Sequence, residues 1–118
     1  MKKLFISIFM ILLLCGCGDE TLPLKKTKEE IINDVINENN YLIVDVRTEE
    51  EYNSGHVVDS INIPYDVIGE SNLDKTKTII VYCASGRRSS IAYDELVNMG
   101  YNVIDAGGYN SLHLDKTN

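Results

Sequence analysis

Two hydrophobic periods alternate along the chain. Ile31 and Val35, then Ile32 and Ile36, fall in i, i+4 pairs, the spacing that lines one face of a helix. Thr27-x-x-Glu30 stands ahead of them as a capping box and Asn39-Asn40 follows, so the pattern predicts a helix over 28–38. Tyr41 to Val46 is mostly apolar and predicts a buried strand, finishing at Asp45-Val46-Arg47. Thr48-x-x-Glu51 is a second capping box. It opens one helical turn through Tyr52, closed by Asn53-Ser54-Gly55. His56 to Ser60 reads as a connection. Ile61-Asn62-Ile63 alternates and predicts a short strand stopped by Pro64. Residues 65–73 carry only a weak signal for a helical turn, and Asp74-Lys75 reads as a turn.

The strongest pattern runs from Thr78 to Met99. Ile79-Ile80-Val81-Tyr82 is a β-branched and aromatic run, the mark of a buried strand. Ala92, Leu96 and Met99 then recur at i, i+4 and i+7, with Ile91 and Val97 widening the stripe of an amphipathic helix. Gly100 can cap that helix. Asn102 to Ile104 predicts a last strand, with Asp105-Ala106-Gly107-Gly108 turning away from it and a short helix over 109–114. Strands alternating with helices at these spacings imply an α/β fold with a parallel sheet covered on both faces.

Composition sets the scale. The 118 residues, 44% apolar and 25% charged, suit one domain with one modest core. The net charge of −7 and the absence of a long basic run argue against a nucleic-acid partner. The first residues stand apart. Lys2 and Lys3 precede an apolar stretch, Leu4 to Leu14, too short for a span of about 20 residues. Leu14-Cys15-Gly16-Cys17 resembles a bacterial lipobox, with cleavage before Cys17 and lipid attached to its sulfur. The expected organisation is a signal peptide over 1–16, a lipidated Cys17 and tether over 17–26, and a domain over 27–118. An edge strand could begin near residue 22, through Leu22 and Leu24. The mature chain would be exported and held at a membrane surface on the extracytoplasmic side. Cys83 would be its one free thiol, so reactivity or an intermolecular bond is the natural reading of that residue.

The loop between the central strand and helix, Cys83-Ala84-Ser85-Gly86-Arg87-Arg88, carries the candidate chemistry. A strand that enters a helix across a short loop aims the loop and first-turn N–H groups at one spot. Cys83 stands at its mouth. The amide dipoles, the helix N-terminus and two guanidinium groups favour negative charge there, which lowers the thiol pKa. Gly86 permits φ > 0, and Arg88 offers a planar fork for an oxyanion. A lone Cys is more often a small buried hydrophobe, but Gly at +3 and Arg at +5 shift the weight to a nucleophile. Asp45, Arg47 and Glu51 fit a supporting role, with Asp45 and Arg47 orienting the loop or pairing with Glu51. His56 is a candidate base, although such a His more often satisfies a backbone group. His113 is expected to be exposed. No cluster has metal-ligand spacing.

Several blocks together resemble one family. Asp45-Val46-Arg47 with Glu51-Tyr52 and Gly55-His56, then Asn62-Ile63-Pro64, then Tyr82-Cys83-x-x-Gly86-x-Arg88-Ser89, then Gly100-Tyr101 and Val103 to Gly108 are similar in order and spacing to a single-domain rhodanese, a thiosulfate:cyanide-type sulfurtransferase. The resemblance covers about residues 22–114. It implies a five-stranded, mainly parallel sheet with helices on both sides, and no cofactor. It also implies that Cys83 accepts a sulfane sulfur from thiosulfate or a persulfide donor and passes it to a thiol or cyanide. Ala84, Ser85, Gly86, Arg87, Arg88 and Ser89 would then bind the persulfide and the incoming anion. Ala84 stands where the family often has Arg, and Tyr109 and Leu112 stand where a Trp is common.

Two other functions remain in view. Related phosphatases share the fold but space Cys and Arg by five residues, whereas four separate Cys83 from Arg88. The second is a non-enzymatic module that binds a partner or senses redox state at the membrane.

Overall fold

The computed structural model describes residues 25–117. The segment 1–16, Cys17, and Leu22 and Leu24 of the expected edge strand lie outside the described residues. Helix α1 spans Lys28–Glu38 and strand β1 Tyr41–Asp45; a short helix α2, Glu49–Asn53, and strands β2, His56–Val57, and β3, Ile61–Asn62, follow. After a 3-10 turn at Ile68–Glu70 come strand β4, Thr78–Cys83, helix α3, Arg87–Asn98, and strand β5, Asn102–Gly108. A second 3-10 turn, Tyr109–Ser111, leads to strand β6, Lys116–Thr117.

The expected α/β architecture is present. Four strands form a parallel sheet in the order β3-β1-β4-β5. These four are the sheet among the described residues, where the resemblance implied five. Strand β4 lies in the middle, and Ile79 through Cys83 are wholly buried, as a strand covered on both faces requires. Its side chains alternate. Ile79, Val81 and Cys83 join Val44, Val46, Ala92, Leu96 and Tyr101 under α3. Ile80 and Tyr82 join Ile32, Ile43, Val57, Ala106 and Leu112 under α1. Complete burial of a residue such as Leu96 stabilises the fold by roughly 1.5–3 kcal/mol.

Local signals set the helix ends. Both capping boxes form: the Thr27 and Thr48 hydroxyls accept from the Glu30 and Glu51 amides, and the two glutamates accept in return. Helix α3 ends in a Schellman pattern, with Gly100 at φ 96° and N–H bonds from Gly100 to the Val97 carbonyl and from Tyr101 to the Leu96 carbonyl.

Several expectations need correction. His56-Val57 is not a plain connection: it pairs antiparallel with Lys116-Thr117 as a two-stranded ribbon. The last strand does not turn away at Asp105. It runs on through Gly108 by way of a bulge at Ala106, between the pairs Val81–Asp105 and Tyr82–Gly107. The expected helix over 109–114 is one 3-10 turn. Ile91 and Val97 do not join the core; each is 43% exposed, because α3 buries the narrower stripe of Ser89, Ala92 and Leu96.

Candidate active site

Cys83 ends β4, and α3 starts four residues later at Arg87. Gly86 is the N-cap of α3 at φ 102°, without a side-chain cap. The first amides of the helix therefore have no serine or aspartate to satisfy them. One main-chain N–H, at the N-cap, reaches the sulfur. The Gly86 N–H donates to Cys83 Sγ at 2.9 Å. Burial pushes the Cys83 thiol up, but the Ser89 hydroxyl and the N–H groups of Ser89, Gly86 and Ser85 outweigh it and hold the pKa below the ordinary thiol value. Hydrogen bonding from the loop and the first turn of α3, rather than arginine charge, is thus the main cause of the shift.

The sulfur lies deeper than the sequence suggests. Cys83 is 0% exposed, so it forms the floor of the loop rather than its mouth. Ala84, Ser85 and Arg87 are exposed on the rim, Gly86 and Arg88 are half-buried, and Ser89 is buried in the first turn of α3. The loop packs closely on β5: a methyl group on Gly108 would stand 2.8 Å from the Ala84 carbonyl oxygen.

Arg88 is the cation beside the thiol. Its Nη1 and Nη2 donate to Glu51 Oε1 and Oε2 at 2.8 and 3.0 Å. The fork to Glu51 and attraction to Cys83 both raise its pKa. Glu51 is held down to about 2, first by Arg88 and then, against burial, by Thr48. The capping box of α2 thereby sets where Arg88 stands. Two N–H bonds of the guanidinium go to Glu51, which leaves three for an anion.

Glu51 therefore pairs with Arg88, not with Arg47. Arg47 turns to Asp45, on the opposite face of the sheet from Cys83. Its Nε lies 3.0 Å from both carboxylate oxygens and its Nη2 donates to Oδ2 at 2.7 Å and to the Gly55 carbonyl at 2.6 Å. The guanidinium stacks on Tyr109 at 4.4 Å. Tyr82 closes this cluster: its hydroxyl accepts the Val57 N–H at 3.0 Å, and burial, with Asp45, raises its pKa. His56 stacks on Tyr52 with ring centroids 3.8 Å apart, and its Nδ1 lies 2.8 Å from the Tyr52 carbonyl. Asp45, Arg47 and His56 thus brace the β1–α2 corner, and none has a described bond to Cys83. His113 is exposed and pairs with Glu29.

Comparison with known proteins decides the family. A rhodanese-like domain profile matches residues 27–114. The chain belongs to the rhodanese-like domain family. It is 40% identical over 78 residues to the thiosulfate sulfurtransferase PspE of Escherichia coli K12, covering 62% of this chain and 75% of that one. It is 34% identical over 84 residues to the chloroplastic thiosulfate sulfurtransferase 16 of Arabidopsis thaliana, covering 58% and 70%. The chain spans only 42% of a tRNA uridine(34) hydroxylase from Wigglesworthia glossinidia brevipalpis, at 27% identity over 132 residues. Among solved structures, a rhodanese with anions from E. coli superposes with a TM-score of 0.59 at 38% identity, over 65% of this chain and 96% of that one. A rhodanese-related protein from Thermoplasma volcanium gives 0.66 at 29% identity, over 80% and 98%.

The rhodanese-like family resemblance and the loop's order of residues are both plain in the sequence. Reading the sequence alone passes over two residues at the site. Asp105 and Gly108 belong to a segment that looks like a turn; only the bulge in β5 brings them to the back of the loop. An Asp two places ahead of a Gly-Gly pair carries no local signal of its own.

Proposed function

We propose that this rhodanese-like protein is a sulfurtransferase that carries sulfane sulfur as a persulfide on Cys83. The thiolate attacks the outer sulfur of thiosulfate. A Cys83 S–S bond forms, the S–S bond of thiosulfate breaks, and sulfite leaves with the electron pair. Cyanide or an acceptor thiolate then takes the outer sulfur, and Cys83 returns as thiolate. The observation that carries this reading is the Gly86 N–H on Cys83 Sγ at 2.9 Å at the uncapped start of α3. The same amides suit a persulfide anion, while the free N–H bonds of Arg88 suit the departing sulfite. Kinship with thiosulfate sulfurtransferases supports thiosulfate as a donor.

Intact mass of reduced, folded protein after thiosulfate treatment tests the reading. One sulfur atom is gained on Cys83, cyanide removes it, and Cys83→Ser gains none. Failure to gain sulfur favours the second reading, a binding or redox-sensing module, for which the complete burial of Cys83 speaks.

The proposed setting is extracytoplasmic. The Lys2-Lys3, Leu4–Leu14 and Leu14-Cys15-Gly16-Cys17 pattern supports a lipid on Cys17 that holds the domain at a membrane. Membrane fractionation of Cys17→Ala tests it: the variant is expected in the soluble fraction or as unprocessed precursor, and wild-type behaviour in that variant overturns the anchor.

A further inference from the structure

The three α-helices among the described residues open differently. The first turn of α1 carries Glu29 and Glu30, and that of α2 carries Glu49, Glu50 and Glu51, the acidic side chains that a helix start favours. The first turn of α3 carries none. It begins Arg87-Arg88-Ser89-Ser90, and the first acid along the helix is Asp94, about two turns on. Two cations therefore stand where the helix dipole is already positive. Glu51 offsets one of them, Arg88. Among the described residues no carboxylate pairs with Arg87, and Arg87 is exposed. Its distance from the sulfur is bounded by the chain. The Gly86 nitrogen lies 2.9 Å from Cys83 Sγ. From that nitrogen to the Arg87 Cα the backbone reaches about 5 Å at most, so this Cα stands within about 8 Å of the sulfur. Arg87 thus puts a charge without a carboxylate partner on the rim of a loop whose floor is the sulfur.

We propose that Arg87 selects the acceptor of the sulfur: a small thiol with an anionic group of its own, a carboxylate or sulfonate a few bonds from its sulfur. This rests on the reading of Cys83 as a sulfur carrier. Cys83 is 0% exposed, so its persulfide is reached only past the loop, and the acceptor must be slender at its thiol end. The acceptor thiolate attacks the outer sulfur. Its own S–S bond forms, the Cys83 S–S bond breaks, and Cys83 leaves with the electron pair as thiolate. The second charge of the acceptor stays at the rim, where Arg87 meets it. The chain as a whole works against such a molecule, since its net charge is −7. A cation at the mouth reverses that sign where the acceptor enters. Neutral thiols gain nothing from Arg87, and cationic ones are repelled by it.

The test uses 2-mercaptoethanesulfonate, 2-mercaptoethanol and cysteamine, which are alike in length and differ in charge. Cys83 of the full chain is loaded with thiosulfate, and intact mass follows loss of the added sulfur to each thiol at low ionic strength. Each rate is read as the ratio of wild type to Arg87→Gln, which cancels the intrinsic reactivity of the thiol. One charge acting on another across about 7 Å of water changes a rate by about 3-fold. Loss of the Arg87 charge is therefore expected to slow the sulfonate about 3-fold relative to the neutral thiol, and to speed cysteamine by about the same factor. Arg87→Lys keeps the charge and is expected to restore the wild-type order, which about 0.5 M salt should level. A second measurement needs no sulfur donor: the ratio of iodoacetate to iodoacetamide alkylation of unloaded Cys83 is expected to fall about 3-fold in Arg87→Gln. Equal changes for all three thiols would show Arg87 to be structural. That outcome, an unchanged order in Arg87→Gln, or an unmoved iodoacetate ratio overturns the proposal. A chain that takes up no sulfur overturns the sulfur-carrier reading and this proposal with it, while one that loads but ignores acceptor charge overturns the proposal alone.

Discussion

Arg88 and Glu51 meet as two parallel forks, at 2.8 and 3.0 Å, across 37 residues of sequence. The pair joins the first turn of α3 to the first turn of α2, and α2 is itself fixed by the Thr48 capping box. The cation beside the thiol is thus aimed before any anion arrives. Glu51→Ala keeps the charge of Arg88 but releases its position. Misplacement of a binding group by about 1 Å can cost on the order of 10²-fold, and a drop of roughly 10-fold in thiosulfate-dependent loading of Cys83 is expected, since the main-chain amides remain. Arg88→Lys is expected to fall at least as far, because an ammonium cannot hold Glu51 and an anion in one plane. The pair also has a pH signature. Glu51 is depressed from 4.5 to about 2, so its contribution to stability is fully present above about pH 4.5 and is lost as pH falls towards 2. Glu51 is partly exposed, so the effect amounts to about 1 kcal/mol at most. Urea midpoints measured from pH 6 to pH 2.5 should fall less steeply in Glu51→Gln than in wild type.

Gly108 is the closest point between the loop and β5. Its φ of −93° is open to any residue, so the requirement is room, not backbone freedom. A methyl group there meets the Ala84 carbonyl oxygen at 2.8 Å, and that oxygen is backbone. Gly108→Ala should therefore push the loop off the sulfur while the core under α3 stays intact. The expected result is a folded protein with a raised Cys83 pKa and slowed persulfide formation, checked by circular dichroism alongside alkylation against pH. A normal Cys83 midpoint in the variant would show that the loop can yield without cost.

How far the sequence reveals this arrangement depends on the range of each interaction. Thr27–Glu30 and Thr48–Glu51 are legible because a capping box is complete within four residues. The run Ile79 to Tyr82 is legible because a buried central strand tolerates few other side chains. The β2–β6 ribbon is not legible: two residues at His56 pair with two at Lys116, and neither segment is long enough to show a period. Ile91 and Val97 mislead because apolar periodicity marks a face without saying how wide a neighbour covers it. The partner of Glu51 is misread locally, because Arg47 is the nearer arginine in the sequence whereas Glu51 faces Arg88, 37 residues on. The depth of Cys83 follows from how tightly residues 84–86 fold against Gly107 and Gly108, which depends on a bulge that no local spacing announces.

Asp45 and Arg47 form the most buried ion pair described, with Asp45 at 0% exposure. Removing one partner of such a pair leaves a charge without compensation and costs about 3–5 kcal/mol. Asp45→Ala strands Arg47 against Tyr109 and Tyr82 and releases the Gly55 corner. For a domain of this size the thermal midpoint should drop by at least about 10 °C. Among molecules that remain folded, alkylation of Cys83 should keep its wild-type midpoint, because the pair lies on the other face of the sheet. A shifted midpoint with unchanged stability would instead place Asp45 in the chemistry.

Cys83 combines a lowered pKa with no exposed surface, and the two properties make opposite demands on reagents. Charge favours reaction at neutral pH, whereas access is limited by the loop above the sulfur. Small reagents such as iodoacetamide should therefore react with a midpoint below the ordinary thiol value of about 8.5, while a bulky maleimide reacts far more slowly than with a free thiol. The sign follows from the cause: amide hydrogen bonds favour the anion, so the reactive form persists to lower pH than in an unfolded chain. In strong denaturant both differences should vanish together, with the midpoint moving up towards about 8.5 and the size dependence disappearing. If the maleimide reacted as fast as iodoacetamide in the folded protein, the loop would be open in solution and access would not limit sulfur transfer. If the midpoint stayed at the free-thiol value, the Gly86 N–H on the sulfur would not be enough to prepare it for attack.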